Sequence, residues 1–346
     1  MPCYNPQLAY PLPGVTTPDG KQSYRFIRAD RGRPYDPRDD LFVSRHKSEV
    51  IKIPCNRCLG CRLKYAREWA SRCMFELQYH DYAWFVTLTY NDQHVPKHYY
   101  SDPHTGEALP IMSLERRDLQ LFFKRLRRAF PQHNIRYYAC GEYGPSTWRP
   151  HYHMILYGLP LDDLQIYSQR SDGQVTAWTS PSLQAAWSER PFGNYSPLLD
   201  AIGDVHVGLV TWSSCSYTAR YVIKKQLGSD GRDFYQTYNL QPPFTAMSLR
   251  PAIGKQYLQD HPDIYDWDSV PLPCGDGVKD VFPPRYYDRL YDIEHHDELE
   301  QIKQMRRNAA ESAQQCKLQQ TSLSLYDLLA LEERAALRRQ QKEFDL

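Results

Sequence analysis

The chain has 346 residues, 24% of them charged, and a formal net charge of +1. That length builds one large domain or two modest ones without covalent staples, and the near-neutral balance excludes an overall basic field, so any nucleic-acid surface must be local. The start, Met1-Pro-Cys-Tyr-Asn-Pro6, lacks the basic and apolar regions of a secretory signal, and no apolar run reaches membrane-spanning length. The sequence therefore predicts a cytoplasmic protein with no membrane partner and with reduced cysteines.

Residues 1–50 are rich in Pro, Asp, Arg and Tyr and predict an irregular arm with one short strand near Tyr24 to Ile27. Cys55-Asn-Arg-Cys58-Leu-Gly-Cys61 leads into a helix reaching about His80. Ala83-Trp-Phe-Val-Thr-Leu-Thr-Tyr90 is β-branched and aromatic and reads as a buried strand. After a loop to Ile111, Ser113 is the expected cap of a helix through Phe130, with Leu119, Phe122, Phe123 and Leu126 as its apolar stripe. Ile135 to Cys140 reads as a strand, Gly141 to Pro145 as its turn, and Arg149-Pro-His151-Tyr-His153-Met-Ile-Leu-Tyr157 as the strand that pairs back.

Residues 162–197 form an excursion with one short helix, Ser182 to Trp187. Asp204 to Trp212 is a further strand, after which Ser213 or Ser214 caps a helix carrying Tyr217, Tyr221 and Lys225. Residues 228–284 are loop-rich. The charged remainder reads as exposed helices with a small apolar patch at Leu323, Leu325, Leu328, Leu329 and Leu331. The order of elements predicts an α+β fold: an antiparallel sheet with helices on one face, the tyrosine helix lying across from the histidine strand. Four segments follow: an arm at 1–62, a central domain at 63–230, a loop-rich extension at 231–284 and a helical tail at 285–346.

Side chains two apart on a strand share a face, so His151 and His153 are two adjacent imidazoles, half of a metal site. Most such pairs are mere packing. Here Glu142, across the expected hairpin, offers a carboxylate as third ligand. Imidazole plus carboxylate with open positions suits Mg2+ or Mn2+ as a Lewis acid, and also other transition metals. In the downstream helix Tyr217, Tyr221 and Lys225 stack at four-residue spacing. An amphipathic packing face is the plain explanation for the tyrosines, but a lysine within a packed stripe is costly. Beside a phosphate the same lysine favours phenolate and neutralises transition-state charge, with Lys224 as the fallback cation.

Three cysteines at tight spacing in a reducing context point to structural zinc rather than disulfides. The fourth ligand is open between Cys3, returning from the arm, and Cys73; three reduced packing thiols or an iron–sulfur cluster are the alternatives. Such a knot would display Arg57, Arg62 and Lys64. Arg116, Arg117, Lys124, Arg125, Arg127 and Arg128 make one helix basic, either a solvated surface or a phosphate-contacting one. Tyr99, Tyr100, Tyr137, Tyr138 and Trp148 are candidates for base stacking.

With these residues in view, the chain resembles the HUH endonucleases, the rolling-circle replication initiators, and within them the initiators of Microviridae of the gokushovirus type. The matching pieces are Phe85-Val-Thr-Leu-Thr-Tyr90, His151-Tyr-His153 and Tyr217-x-x-x-Tyr221-x-x-x-Lys225. They span roughly residues 55–227. Tyr152 stands where the family usually has a bulky apolar residue. The resemblance implies a five-stranded antiparallel sheet of the RRM or ferredoxin-like kind and a metal ligand at Glu142. It implies nicking of origin DNA, a 5′-phosphotyrosine intermediate resolved by the second tyrosine, and rejoining. It also implies single-stranded and origin DNA, a host helicase and a replicative polymerase as partners. A built-in helicase is excluded, because Gly14 to Gln22 is one residue too long for a Walker A loop and lacks its Ser or Thr. A transposase or relaxase of the same chemistry, and a non-catalytic zinc-containing DNA-binding protein, are the rival readings.

Overall fold

The computed structural model describes residues 3–18, 20, 22–27, 50–189, 200–224, 228–267, 269–274 and 277–344. The chain divides into two compact units, one formed by residues 1–65 and 290–346, the other by residues 66–289.

The first unit contains an antiparallel sheet where an irregular arm was expected. Its strands are β1 (Gln7–Thr16), β2 (Gln22–Ile27) and β3 (Ile51–Ile53), in the order β2-β1-β3. The sequence anticipated only β2. Pro11 and Pro13 disguised β1, but β3 pairs with Gln7 to Ala9 alone. Among the described residues both prolines therefore lie where β1 is an edge, the place a strand tolerates them. Helix α1 (Leu59–Leu77) begins within the cysteine cluster, with Cys61 in its first turn.

The second unit is built on a seven-stranded antiparallel sheet, not five-stranded. It uses β4 (Ala83–Leu88), β7 (Arg136–Tyr143), β8 (Pro150–Tyr157), β9 (Gln165–Gln169), β10 (Val175–Thr179), β11 (Val205–Leu209) and β12 (Phe244–Met247), in the order β12-β7-β8-β4-β11-β10-β9. Between β4 and β7 come a two-stranded hairpin, β5 (Lys97–Ser101) and β6 (Ala108–Met112), and helix α2 (Arg116–Ala129). Helices α3 (Pro181–Ala186), α4 (Trp212–Lys224), α5 (Gly228–Thr237) and α6 (Lys255–Asp260) follow, the last leading to a second hairpin of β13 (Val270–Pro273) and β14 (Val278–Val281). The extra strands come from segments read as loops. The excursion folds into the β9–β10 hairpin at one edge, and the loop-rich extension adds β12 at the other.

Helices cover both faces of this sheet, not one. Val86, Leu88, Ala139, Tyr152, Met154, Leu156, Val205 and Val207 pack with Leu119, Phe122, Phe123 and Leu126 of α2. The opposite face meets α1, where Trp69 stacks on Tyr138 at 4.6 Å and Tyr157 donates to the Cys73 carbonyl at 3.0 Å. After His151 every residue of β8 is buried, so both faces need cover. The extension is fastened to this face through Glu76, which pairs with Arg136 and accepts from the Gly254 N–H at 2.8 Å.

Local caps shift from their expected positions. Glu115, not Ser113, caps α2, accepting from the Arg117 N–H. Ser113 is buried and accepts instead from the Gln241 N–H at 3.1 Å. Thr211 stands at the head of α4: Ser214 N–H donates to its hydroxyl, and its own N–H donates to Ser214 Oγ.

The tail is helical as expected, in α7 (Arg285–Tyr291), α8 (His296–Gln319) and α9 (Leu325–Phe344). Of its apolar patch Leu329 is buried, whereas Leu323 and Leu331 face solvent. Among the described residues no helix is long and apolar enough to cross a membrane.

Candidate active site

The β7–β8 register creates the site. Glu142 pairs directly with His151, and Cys140 with His153. Direct partners project to the same side, so the carboxylate and both imidazoles meet on one face. The strand runs on through Gly141, Glu142 and Tyr143, and the turn expected at 141–145 falls instead at 144–149, where the Gly144 N–H bonds to the Arg149 carbonyl. That later turn is what sets Glu142 opposite His151.

The two Nε2 atoms converge on one carboxylate oxygen, Glu142 Oε1, at 2.7 Å from His151 and 3.3 Å from His153. One ligand atom from each residue lies within 4.8 Å of the others, a set that can hold a metal ion. Each imidazole is held from behind. His151 Nδ1 lies 3.1 Å from the Arg149 carbonyl and its Nε2 2.7 Å from Glu142 Oε1, so the ring is anchored through Nδ1–H while a bound cation would take the place of the proton at Nε2. His153 Nδ1 lies 2.9 Å from Thr87 Oγ1 on β4. Burial pushes the Glu142 pKa up, but hydrogen bonds from His151 and His153 outweigh it and hold the carboxyl below its usual range. The donor set, two imidazoles and an ionised carboxylate, fits a divalent ion.

Helix α4 lies over this face. The Tyr217 ring stands edge-on to His153 with centroids 5.2 Å apart, and to Phe85 at 6.1 Å; Phe85 itself stacks on His153 at 5.6 Å. Tyr217 remains 39% exposed, enough for a substrate to reach the phenol. Burial first, and the Glu142 charge second, push its pKa up to about 12. Tyr221 and Lys224 belong to α4, but their side chains lie outside the described residues, as does Lys225 entirely.

Thr87 and Arg149 are site residues that the sequence reading left out. Thr87 lies within the Phe85–Tyr90 motif, and its alternation with Phe85 puts both on the His153 face. Arg149 also fixes the strand's entry, its guanidinium donating twice to the Tyr90 carbonyl, at 3.1 and 2.8 Å. Tyr152 points the other way, fully buried. Its hydroxyl donates to the Glu115 carbonyl at 2.7 Å, accepts from the Glu115 N–H at 3.2 Å and lies 2.8 Å from Tyr90 Oη. A tyrosine is accommodated at an apolar position because the N-terminus of α2 satisfies its polar end.

The basic helix α2 packs on the face opposite the histidines. Arg117, Lys124 and Arg128 are exposed. Arg116 lies over the Phe244 ring, Arg127 donates to the Ile135 carbonyl, and Arg125 is partly buried, which lowers its pKa. Of the stacking candidates Tyr138 is fully buried and Tyr137 packs on Phe123, whereas Tyr99 and Trp148 face solvent.

In the first unit Cys3, Cys55, Cys58 and Cys61 bring their sulfurs within 4.8 Å of one another, a second set that can hold a metal. Cys3 is thus the fourth member. Cys73 is fully buried elsewhere, its thiol against Cys215. The Cys3 and Cys58 sulfurs are 3.7 Å apart. A tetrahedron with metal–sulfur bonds of about 2.3 Å has edges of about 3.8 Å, so the spacing fits one ion. Asn56, with φ of 58°, turns the Arg57 and Cys58 N–H groups onto the Cys55 sulfur at 3.4 and 3.2 Å. Thiol hydrogen bonding, first from Cys3, lowers the pKa of Cys58 and brings Cys55 to about 6. Arg57 and Lys64 are exposed beside the cluster and Arg62 is half-buried.

A family profile described as replication-associated protein ORF2/G2P matches residues 83–226, the stretch that holds the histidines, Glu142 and Tyr217. Replication-associated protein ORF2 of Spiroplasma virus 4 is 34% identical over 267 residues, covering 75% of this chain and 74% of the relative. Replication-associated protein VP4 of Bdellovibrio phage phiMH2K is 32% identical over 251 residues, covering 70% and 68%. Replication-associated protein ORF4 of Chlamydia phage 1 is 26% identical over 185 residues, covering 52% and 40%. No solved structure matches. By this extent of identity the chain belongs to the replication-associated proteins of Microviridae-type phages, the ORF2/G2P family.

Proposed function

We propose that the protein is an HUH-type replication initiator that nicks single-stranded origin DNA and rejoins it during rolling-circle replication. The observation that carries this reading is the placement of Tyr217. Its ring stands 5.2 Å from His153, whose Nε2 converges with that of His151 on the Glu142 carboxylate. A half-exposed phenol beside a set of divalent-ion ligands suits attack on a phosphodiester.

In this reading the Tyr217 or Tyr221 oxygen bonds to phosphorus as the bond from phosphorus to the 3′ oxygen breaks. The phenol gives up its proton, the 3′ oxygen gains one, and the 5′ phosphate stays on tyrosine. The freed 3′ hydroxyl primes synthesis by a host polymerase behind a host helicase. The second tyrosine then repeats the attack, and a 3′ hydroxyl displaces the first tyrosine to close a circle. Phosphotyrosine conserves the broken linkage, so joining needs no ATP.

His151, His153 and Glu142 would hold Mg2+ or Mn2+, which when bound draws charge from the phosphate oxygens. Tyr217, with a pKa near 12, carries its proton at neutral pH, so attack calls for a cation close by; the motif assigns Lys225, with Lys224 behind it. Zn2+ is the ion proposed for the four cysteines. Residues 63–230 carry the nicking and joining part, with 1–62 as arm, 231–284 as extension and 285–346 as tail. Arg116, Arg117, Lys124, Arg125, Arg127 and Arg128 are proposed to touch phosphate away from the nick. The work takes place in the cytoplasm of the bacterial host.

The test is a cleavage reaction with an origin oligonucleotide, Mg2+ or Mn2+ and a denaturing gel, followed by peptide sequencing of the adduct. A 5′-phosphate on Tyr217 or Tyr221 is expected. Binding that persists with no adduct under any divalent ion overturns the reading in favour of a non-catalytic DNA-binding protein.

A further inference from the structure

The sheet register extends the site sideways. Thr87, which holds His153, pairs on its other side with His206 of β11. Direct partners share a face, so His206 emerges on the same side as the histidine pair, two strands away, about 10 Å. Beyond it the β9–β10 hairpin carries a register slip. Trp178 pairs with Ile166 but Ala177 pairs with Ser168, leaving Tyr167 as the additional residue of a bulge. A bulge re-aims the side chain it carries. Here the Tyr167 ring stands edge-on to His206, centroids 4.3 Å apart at 75°. Yet Tyr167 remains 53% exposed, and His206 is only half-buried. An aromatic pair turned onto the site face but left open to solvent contributes little as core. Its flat surfaces suit an unpaired base, which stacks on aromatic rings whatever its sequence.

We propose that Tyr167 and His206 form a stacking subsite for an unpaired base of single-stranded DNA, close to the phosphate handled at His151, His153 and Glu142. This rests on the nicking function proposed above and extends its substrate track across β4 and β11 to the added hairpin.

The test uses the full chain in chelator, so that no cleavage occurs, with a fluorescent 20-nucleotide oligothymidylate read by anisotropy at fixed salt. Tyr167→Ala should weaken binding about 5- to 100-fold, whereas Tyr167→Phe stays within about twofold. In parallel, wild-type protein is irradiated with an oligonucleotide carrying 5-iododeoxyuridine, and the nucleotide-bearing peptides are sequenced. Cross-links at Tyr167 or His206 are expected, and this second readout stands even if the alanine variant folds poorly. Wild-type affinity in a folded Tyr167→Ala protein, or cross-links confined to other peptides, overturns the subsite while leaving tyrosine-linked nicking intact. Failure of the wild-type chain to bind single strands at all overturns both.

Discussion

In one compact unit four sulfurs gather within 4.8 Å of one another; in the other, two imidazoles and a carboxylate do the same. The first set is soft, complete at four ligands and wrapped by backbone N–H groups that donate to sulfur. Four thiolates fill a tetrahedron and leave no position for substrate. The second set has three harder donors, each imidazole braced from behind, with a phenol beside it. Three ligands leave positions open. Ligand count and softness thus divide the two clusters, the closed set matching the proposed structural role and the open set the proposed chemistry.

The largest effect should come from breaking the closed set. Cys58→Ser removes the sulfur that meets both Cys3 and the Tyr4 N–H. Structural zinc contributes on the order of 10 kcal/mol to small zinc-dependent folds. Loss of about one zinc per chain by mass spectrometry, with protease sensitivity rising in residues 1–65, is the expected result. Zinc retained in the variant would break the comparison from this side. Mild chelation should separate the sets more gently, abolishing cleavage reversibly while the proposed zinc stays.

Next in size is His153→Ala. It removes one of the two nitrogens that converge on Glu142 and should cut the nicking rate by about 10²- to 10³-fold, while single-strand affinity and thermal midpoint hold. An equal loss of binding and cleavage would make the histidine structural and erase the distinction drawn above.

A smaller change tests the bracing. Thr87→Val keeps the shape but removes the Oγ1 that lies 2.9 Å from His153 Nδ1. Supporting hydrogen bonds of this kind typically matter 10- to 100-fold for metal affinity or activity. The expected signature is a raised Mn2+ requirement that excess Mn2+ partly restores. Normal Mn2+ dependence would show that His153 needs no help in orienting.

How far these features could be read beforehand depends on whether they are local. His151 and His153 share a face by strand alternation alone, and the hairpin brought Glu142 near them without knowledge of the register. Cys3 was one of two choices for the fourth thiol, since sequence cannot say which chain end returns. What escaped was set by distant pairing. β12 exists because Phe244 to Met247 find the free edge of β7, and the Tyr167 bulge exists only in the mismatch between two strands. Ser113 looked like a cap, yet the Gln241 N–H claims its hydroxyl from 128 residues away. β1 was hidden by Pro11 and Pro13, which the strand tolerates because β3 pairs only with Gln7 to Ala9.

The smallest expected effect concerns the residue between the two histidines. Tyr152 and His153 are adjacent yet face opposite sides of the sheet, so one strand divides polar chemistry from core. Tyr152→Phe deletes the hydroxyl that joins Glu115 to Tyr90, leaving the Glu115 N–H and C=O short of a buried partner. The cost should be about 1–2 kcal/mol of unfolding free energy, read by denaturant titration, with Mn2+ affinity and nicking rate unchanged. Phenylalanine keeps the ring that packs on Trp187 and Phe244, so no cavity term adds to this figure. A fall in nicking without a fall in stability would mean that the two faces of β8 are coupled, and that the tyrosine at this position serves the site rather than the core.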